Sequence, residues 1–143
     1  MVCNPCKKRD IAKIEGIQNS FTRKLMIRIH GFVYDRIPSP RARNRIFGLQ
    51  SLMRRRRKFY LIMFHKIMHG NCGLNINEFC VLRSSITRGG PVKLILPRAR
   101  SKYRAHYFSV RAGSDYLRLS KRVVIPANIR SFKAMLDSCL SPQ

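Results

Sequence analysis

Hydrophobic residues recur at steps of three and four along several stretches of the chain, a spacing that places them on one face of a helix. The first stretch predicts a helix over 7–29, and its apolar positions are Ile11, Ile14, Ile17, Phe21 and Leu25. The helix pattern ends near Gly31, a residue that commonly terminates helices. The same spacing predicts further helices over 41–47, 50–69, 106–119 and 129–140.

The stretches between these helices carry turn and strand signals. Asn75, followed three residues later by Glu78, resembles a capping box and predicts a short helix to Leu82. A short strand is predicted over 92–96. The fold class predicted from these elements is mostly α, a small helical domain with at most a short two-stranded β element. Three segments are predicted within one compact unit, at 1–31, 32–82 and 83–143.

The charge of the chain indicates which class of molecule it binds. It has 143 residues, with 30 Lys and Arg against 6 Asp and Glu, a formal net charge of +24. A free domain of that charge repels itself, so a polyanion is its natural counterpart. Arginine, the more abundant cation, suits planar bidentate contacts with phosphate.

One basic cluster is an uninterrupted run on the predicted second long helix. Four consecutive arginines cover a full helical turn, so they cannot all face one ligand. The functional interpretation is a phosphate-contacting or nuclear-localisation patch, and the alternative is a solvated helix face. The candidate residues of this run are Arg54, Arg55, Arg56, Arg57 and Lys58.

A second basic cluster follows the predicted strand, in a stretch predicted to be irregular over 98–104. Cations alternate there with Tyr103, Tyr107 and Phe108, an arrangement that suits single strands or hybrid duplexes. The alternative is that these aromatic residues anchor the next helix in the core. The candidate nucleic-acid-binding residues of this cluster are Arg98, Arg100, Lys102, Arg104 and Arg111.

Catalytic and cofactor chemistry has little support in the sequence. The six acidic residues are scattered singly, with no pair spaced for acid–base work or for two metal ions. Cys3 and Cys6 have the spacing of a zinc pair but stand isolated. The longest apolar run has six residues, over 59–64, far short of a membrane span. We therefore predict no cofactor, no metal and no membrane partner, and an intracellular location, nuclear or cytoplasmic.

Ordered blocks of residues resemble the C-terminal part of the reverse transcriptases of non-LTR retrotransposons, LINE-like elements of the jockey and CR1 kind. The chain opens with Val2-Cys3-Asn4-Pro5-Cys6, where that family has Val-Trp-x-Pro-Tyr, and continues with Ile14-Glu15-Gly16-Ile17-Gln18-Asn19-Ser20-Phe21-Thr22-Arg23. The most specific block is Pro-Arg-x-Arg-x-x-x-Arg-x-x-x-Phe-Ser-x-Arg, present as Pro97, Arg98, Arg100, Arg104, Phe108, Ser109 and Arg111. Further blocks lie at 49–56, 66–70, 123–124 and 131–136.

The resemblance covers nearly the whole chain and implies a role. It corresponds to the thumb and post-thumb region, with 1–31 as a thumb-like helix, and it makes Cys3 and Cys6 replaced aromatic core positions. The family's catalytic aspartates lie in a palm that would precede this region, and no Asp-Asp pair occurs here. The resemblance therefore implies a fragment that is not an enzyme on its own, while the parent enzyme is an RNA-directed DNA polymerase.

The implied function is sequence-independent binding of the backbone of RNA or of an RNA–DNA template–primer. The implied partners are RNA or an RNA–DNA hybrid, together with the palm of the parent enzyme. Three alternatives stay open at this point. The first is a small basic structural RNA-binding protein of the ribosomal kind, and the second is a protein–protein module whose apolar helix faces dock a partner such as the palm. The third is a remnant of a mobile element that does not fold and has no function.

Overall fold

Helices form most of the chain, as the sequence predicts. The computed structural model describes residues 5–31, 33–86 and 92–140. Within these residues there are six α-helices and one antiparallel pair of strands, which confirms the predicted mostly-α fold with a two-stranded element. In chain order the elements are α1 (Lys8–His30), α2 (Pro40–Ile46), α3 (Leu52–Met68), β1 (Val81–Ser84), β2 (Val92–Ile95), α4 (Lys102–Ala105), α5 (Phe108–Ser120) and α6 (Ile129–Cys139).

The chain divides into two units, Met1–Arg57 and Lys58–Gln143, and the division falls inside α3. It coincides with neither predicted segment boundary, at 31/32 or at 82/83. Among the helices of the described ranges, none combines the length and the apolar content that crossing a bilayer requires.

Several helix ends follow directly from local sequence. Gly31 ends α1 in the left-handed conformation, with φ 62°, and its N–H donates to the carbonyl of Ile27 at 3.1 Å. Asn128 caps α6, because its side-chain oxygen accepts the N–H of Arg130 at 2.8 Å. The predicted end of the first helix at Gly31 is therefore confirmed.

The predicted helix from Asn75 to Leu82 is wrong. Asn75 does accept the N–H of Asn77, at 3.0 Å, but this cap opens only a single 3₁₀ turn over Ile76–Glu78. The chain then becomes β1, which pairs with β2 in the register Val81 opposite Ile95. Pairing with a strand beyond this stretch of sequence overrides the local helix signal.

A buried arginine joins α1 and α2 in the first unit. Arg43 is only 2% exposed, and its Nε and Nη2 donate to Thr22 Oγ1 and to the carbonyl of Asn19, each at 3.2 Å. Its Nη1 donates to the carbonyl of Pro38 at 2.5 Å. Burial, and then the charge of Arg23, lower the pKa of Arg43 from its usual value. This side chain serves packing, because its hydrogen bonds are satisfied inside the unit.

Aromatic and aliphatic side chains form the core of the second unit. Its buried members come from α3, α5 and α6 and from the end of the 3₁₀ turn: Tyr60, Leu61, Phe64, Cys80, Ala112, Tyr116, Phe132 and Leu136. His65 lies among them with no exposure, and its ring stacks on Phe132 with centroids 4.0 Å apart. Its Nδ1 lies 3.1 Å from the Tyr116 hydroxyl, and its Nε2 lies 3.1 Å from the carbonyl of Ala127.

Gly113 is buried inside α5, at a position where a side chain would meet a close neighbour. A Cβ at this position would lie 2.2 Å from Cδ2 of Leu96. We expect Gly113→Ala to lower the free energy of unfolding by up to about 2 kcal/mol. Overpacking costs about 1–3 kcal/mol, and the better helix propensity of alanine returns about 1 kcal/mol of that.

Gly16 provides the matched control for this substitution. It lies in α1, is exposed, and a Cβ there would meet nothing within 4 Å. Gly16→Ala is expected to raise stability by about 1 kcal/mol through helix propensity alone. Chemical denaturation followed by circular dichroism measures both changes. Equal stabilisation by the two substitutions would contradict the close approach of Leu96 to Gly113.

Candidate nucleic-acid interface

Positive charge is distributed equally over the two units. Each contains 15 Lys and Arg against 3 Asp and Glu, a formal net charge of +12. Neither unit can therefore neutralise its own cations, whichever ion pairs form. The structure shows which of these cations are held by internal contacts and which are exposed to solvent.

Glu15 ties part of the arginine run into the first unit. Its carboxylate accepts the N–H groups of Met53 at 2.7 Å and Leu52 at 3.4 Å, at the positively polarised start of α3. The same carboxylate lies 3.5 Å from Nη2 of Arg56, which is only 7% exposed. Nε and Nη1 of Arg56 are buried without an acceptor among the described residues. Arg56 is thus held inside the first unit by its ion pair with Glu15 and is not exposed to a ligand.

The other members of the arginine run point in different directions, as a full helical turn requires. Arg55 and Arg57 are exposed, while Arg54 is half-buried. In the second unit, Lys58 forms an ion pair with Asp137 of α6. The run therefore offers two exposed arginine side chains, not a continuous patch of five cations.

Arg111 belongs to the packing of the second unit. Its guanidinium lies over the ring of Tyr60, 5.5 Å from the centroid, and the side chain is half-buried. The Tyr60 hydroxyl donates to Asp115, whose carboxylate also lies 3.8 Å from Nη1 of Arg118. This predicted site residue is thus held in a cation–π contact within the unit.

The second basic cluster, unlike Arg56 and Arg111, is exposed to solvent. We call residues 98–107 the basic segment: it is irregular over 98–100 and then forms the single turn of α4, which begins after Ser101. That turn corrects the irregular structure predicted over 98–104, and it forms because the Ser101 hydroxyl accepts the N–H of Arg104 at 3.2 Å. All residues of the segment are exposed except Ala99, which is half-buried.

The four cations of the basic segment are unpaired in the part of the chain that the structure describes. They also have no acidic neighbour in sequence, since no Asp or Glu occurs between Glu78 and Asp115. Exposed cations without carboxylate partners attract a polyanion more strongly than paired ones. These four predicted residues are Arg98, Arg100, Lys102 and Arg104.

Tyr103 and Tyr107 also lie in this segment, and the structure separates them from Phe108. Phe108 packs on the core, with its ring centroid 6.3 Å from that of Phe64 and 6.0 Å from that of Phe79. The core-anchor interpretation is therefore confirmed for Phe108. It is wrong for the tyrosines, because Tyr103 is 80% exposed and Tyr107 is 62% exposed.

Sequence reasoning missed two further exposed cations. Arg83 of β1 lies directly opposite Lys93 of β2 in the strand register, and both are exposed. Like charges at opposite positions of an antiparallel pair destabilise it. An anion bound between them would relieve that repulsion. Sequence reasoning did not pair these residues, because it predicted a helix up to Leu82 and therefore no strand opposite residues 92–96.

Metal-binding groups do not gather in the described ranges. No three His, Cys, Asp or Glu side chains there lie close enough together to hold a metal ion. Cys3, half of the zinc-spaced pair, lies outside the described residues. Cys6 is exposed.

Comparison with known proteins identifies no relative. The chain matches no family model, no curated protein and no solved structure. The resemblance to the C-terminal region of non-LTR reverse transcriptases therefore rests on the residue blocks of the sequence itself and stays a prediction.

Proposed function

We propose that this chain binds the backbone of RNA or of an RNA–DNA hybrid through exposed Arg and Lys side chains, and that it carries no catalytic site of its own. The observation that carries the proposal is the basic segment, which has four exposed cations and contains no carboxylate. The resemblance supports RNA or a hybrid as the nucleic acid, because it relates the chain to the thumb and post-thumb region of an RNA-directed DNA polymerase.

The proposed contacts are fewer than the sequence suggests. Arg56, Lys58 and Arg111 are engaged in internal contacts, and Arg54 is half-buried. The other six predicted residues are exposed: Arg55 and Arg57 in the first unit, and Arg98, Arg100, Lys102 and Arg104 in the second. The proposed phosphate contacts are the four of the basic segment.

Counterion release is the mechanism of such binding. Each phosphate that a cation neutralises releases condensed counterions, so the affinity falls as salt rises. Four contacts correspond to a slope of log K against log salt of about −3 for a single strand and about −4 for a duplex. Because these contacts reach only the backbone, the binding has no base-sequence preference.

Binding of the purified chain to single-stranded RNA, RNA–DNA hybrid and duplex DNA across a salt series tests the proposal. We expect a helical circular dichroism spectrum and an affinity that falls about 10²-fold between about 50 and 200 mM salt, with RNA or hybrid bound more tightly than duplex DNA. An unfolded chain, or a folded chain without salt-dependent binding, would contradict it. Binding that requires intact ribosomes would favour the structural RNA-binding alternative.

A further inference from the structure

Two tyrosines in the basic segment have no structural role in the described part of the chain. There, neither Tyr103 nor Tyr107 has a partner for its ring or its hydroxyl, although both are largely exposed. The other three tyrosines differ from them. Tyr60 and Tyr116 are buried, and Tyr34 accepts a hydrogen bond at 2.7 Å from Arg23, whose guanidinium also lies over its ring.

The backbone that carries these two tyrosines is nevertheless held in place. The carbonyl of Tyr103 accepts the N–H of His106 at 3.1 Å, and the N–H of Tyr107 donates to the carbonyl of Arg104 at 3.1 Å. The carbonyl of Tyr107 in turn accepts the N–H of Arg111 in α5, at 3.0 Å. A ring fixed on an ordered backbone loses little conformational entropy when a ligand packs on it.

The surroundings of the rings are cationic. Lys102 and Arg104 flank Tyr103 in sequence, Arg98 and Arg100 precede it, and all four are exposed. Exposed aromatic rings among cations are what proteins use to hold single strands, with the bases on the rings and the phosphates on the cations. A duplex offers only its phosphates to such a surface, because its bases are already stacked and paired.

We propose that Tyr103 and Tyr107 are a stacking site for unpaired bases, with the four cations of the basic segment holding the adjoining phosphates. The inference rests on the proposed function and specifies its ligand: a single-stranded nucleic acid, or the unpaired part of a larger RNA. Binding at this site requires no particular base sequence, since every base has a face that can stack on an aromatic ring.

Alanine substitution of the two tyrosines tests the site, with binding measured by fluorescence anisotropy on a labelled single-stranded RNA of about 12 nucleotides and on a duplex of the same length. Tyr103→Ala and Tyr107→Ala are each expected to weaken binding to the single strand by at least about 5-fold. Duplex affinity and the salt slope are expected to stay unchanged, because no charge is removed. Tyr103→Phe and Tyr107→Phe, which keep the ring, are expected to retain the affinity of the natural chain.

Tyr34→Ala is the matched control, because Tyr34 is 64% exposed but lies in the other unit. It is expected to leave both affinities unchanged. Alanine variants that weaken neither ligand, or that weaken both equally, would overturn the stacking site while salt-dependent binding still supported the proposed function. A natural chain that binds no nucleic acid would overturn both proposals. Circular dichroism of each variant confirms that the fold is retained.

Discussion

Neutralising the four cations of the basic segment is expected to lower the affinity for single-stranded RNA about 10³-fold at about 0.1 M salt. The variant combines Arg98→Gln, Arg100→Gln, Lys102→Gln and Arg104→Gln. Each phosphate contact contributes roughly 0.7 to 0.9 of a decade at that salt concentration through counterion release, so four contacts contribute about three decades. Because all four side chains are exposed and lack ion-pair partners in the described ranges, the fold is expected to remain intact.

A second variant separates local contact from general charge. It replaces four other exposed cations of the same unit by glutamine, namely Lys121, Arg122, Arg130 and Lys133. Both variants lower the formal net charge by four, from +24 to +20. The control is expected to lose less than about 10-fold in affinity, since only the long-range field of the unit changes. Similar losses in the two variants would mean that binding follows net charge alone.

Acidification is expected to destabilise the second unit through His65. Burial lowers the pKa of His65 from its usual value of 6.5, and the nearby His69 lowers it further, against an opposing hydrogen bond to Ala127. On acidification, His65 therefore becomes protonated near pH 6.5 in the unfolded chain but only at a lower pH in the folded chain. Stability falls as the pH drops from 6.5 towards the lower pKa of the folded state, by about 1.4 kcal/mol per pH unit where one proton separates the two states.

The geometry around His65 explains why the folded state excludes this proton. The ring has no exposure and stacks on Phe132, so an imidazolium there would lose its hydration. Tyr116, on its Nδ1 side, stays protonated across this range, because burial raises the pKa of Tyr116 to about 12. No counter-charge for an imidazolium is therefore gained from that hydroxyl.

Urea denaturation between about pH 7.5 and about pH 5.5, a range above most carboxylate titration, measures this effect. His65→Gln keeps a donor and an acceptor but does not titrate, so its stability is expected to be lower but nearly independent of pH. His106→Gln, at an exposed position, is expected to keep the pH dependence of the natural chain. A pH dependence that survives in His65→Gln would show that another group causes it.

Local signals predicted the helices well because their determinants lie within a few residues. The spacing of apolar side chains in α1, α3 and α6 reflects the helical period, and Gly31 and Asn128 act through their own backbone and side chain. β1 was not predicted, because so short a strand is stabilised by pairing with its partner. That partner, β2, is a separate stretch of the sequence.

The basic segment of the candidate site was predicted from sequence, but the internal contacts of the arginine run were not. The basic segment was recognisable from its closely spaced cations, with no carboxylate near them in sequence. The internal roles of Arg56 and Lys58 depend on Glu15 and Asp137, and the latter lies 79 residues away along the chain. Which arginine of a helical run faces a carboxylate of another element is decided by tertiary packing, which a single sequence does not display.

The salt dependence of the two charge-matched variants tests the central claim most directly, that nucleic acid contacts the basic segment. For single-stranded RNA, neutralising Arg98, Arg100, Lys102 and Arg104 is expected to reduce the magnitude of the slope of log K against log salt by about three. Neutralising Lys121, Arg122, Arg130 and Lys133 is expected to change it by less than one. Equal slopes in the two variants would contradict the claim and would leave only the net charge of the chain to account for its binding.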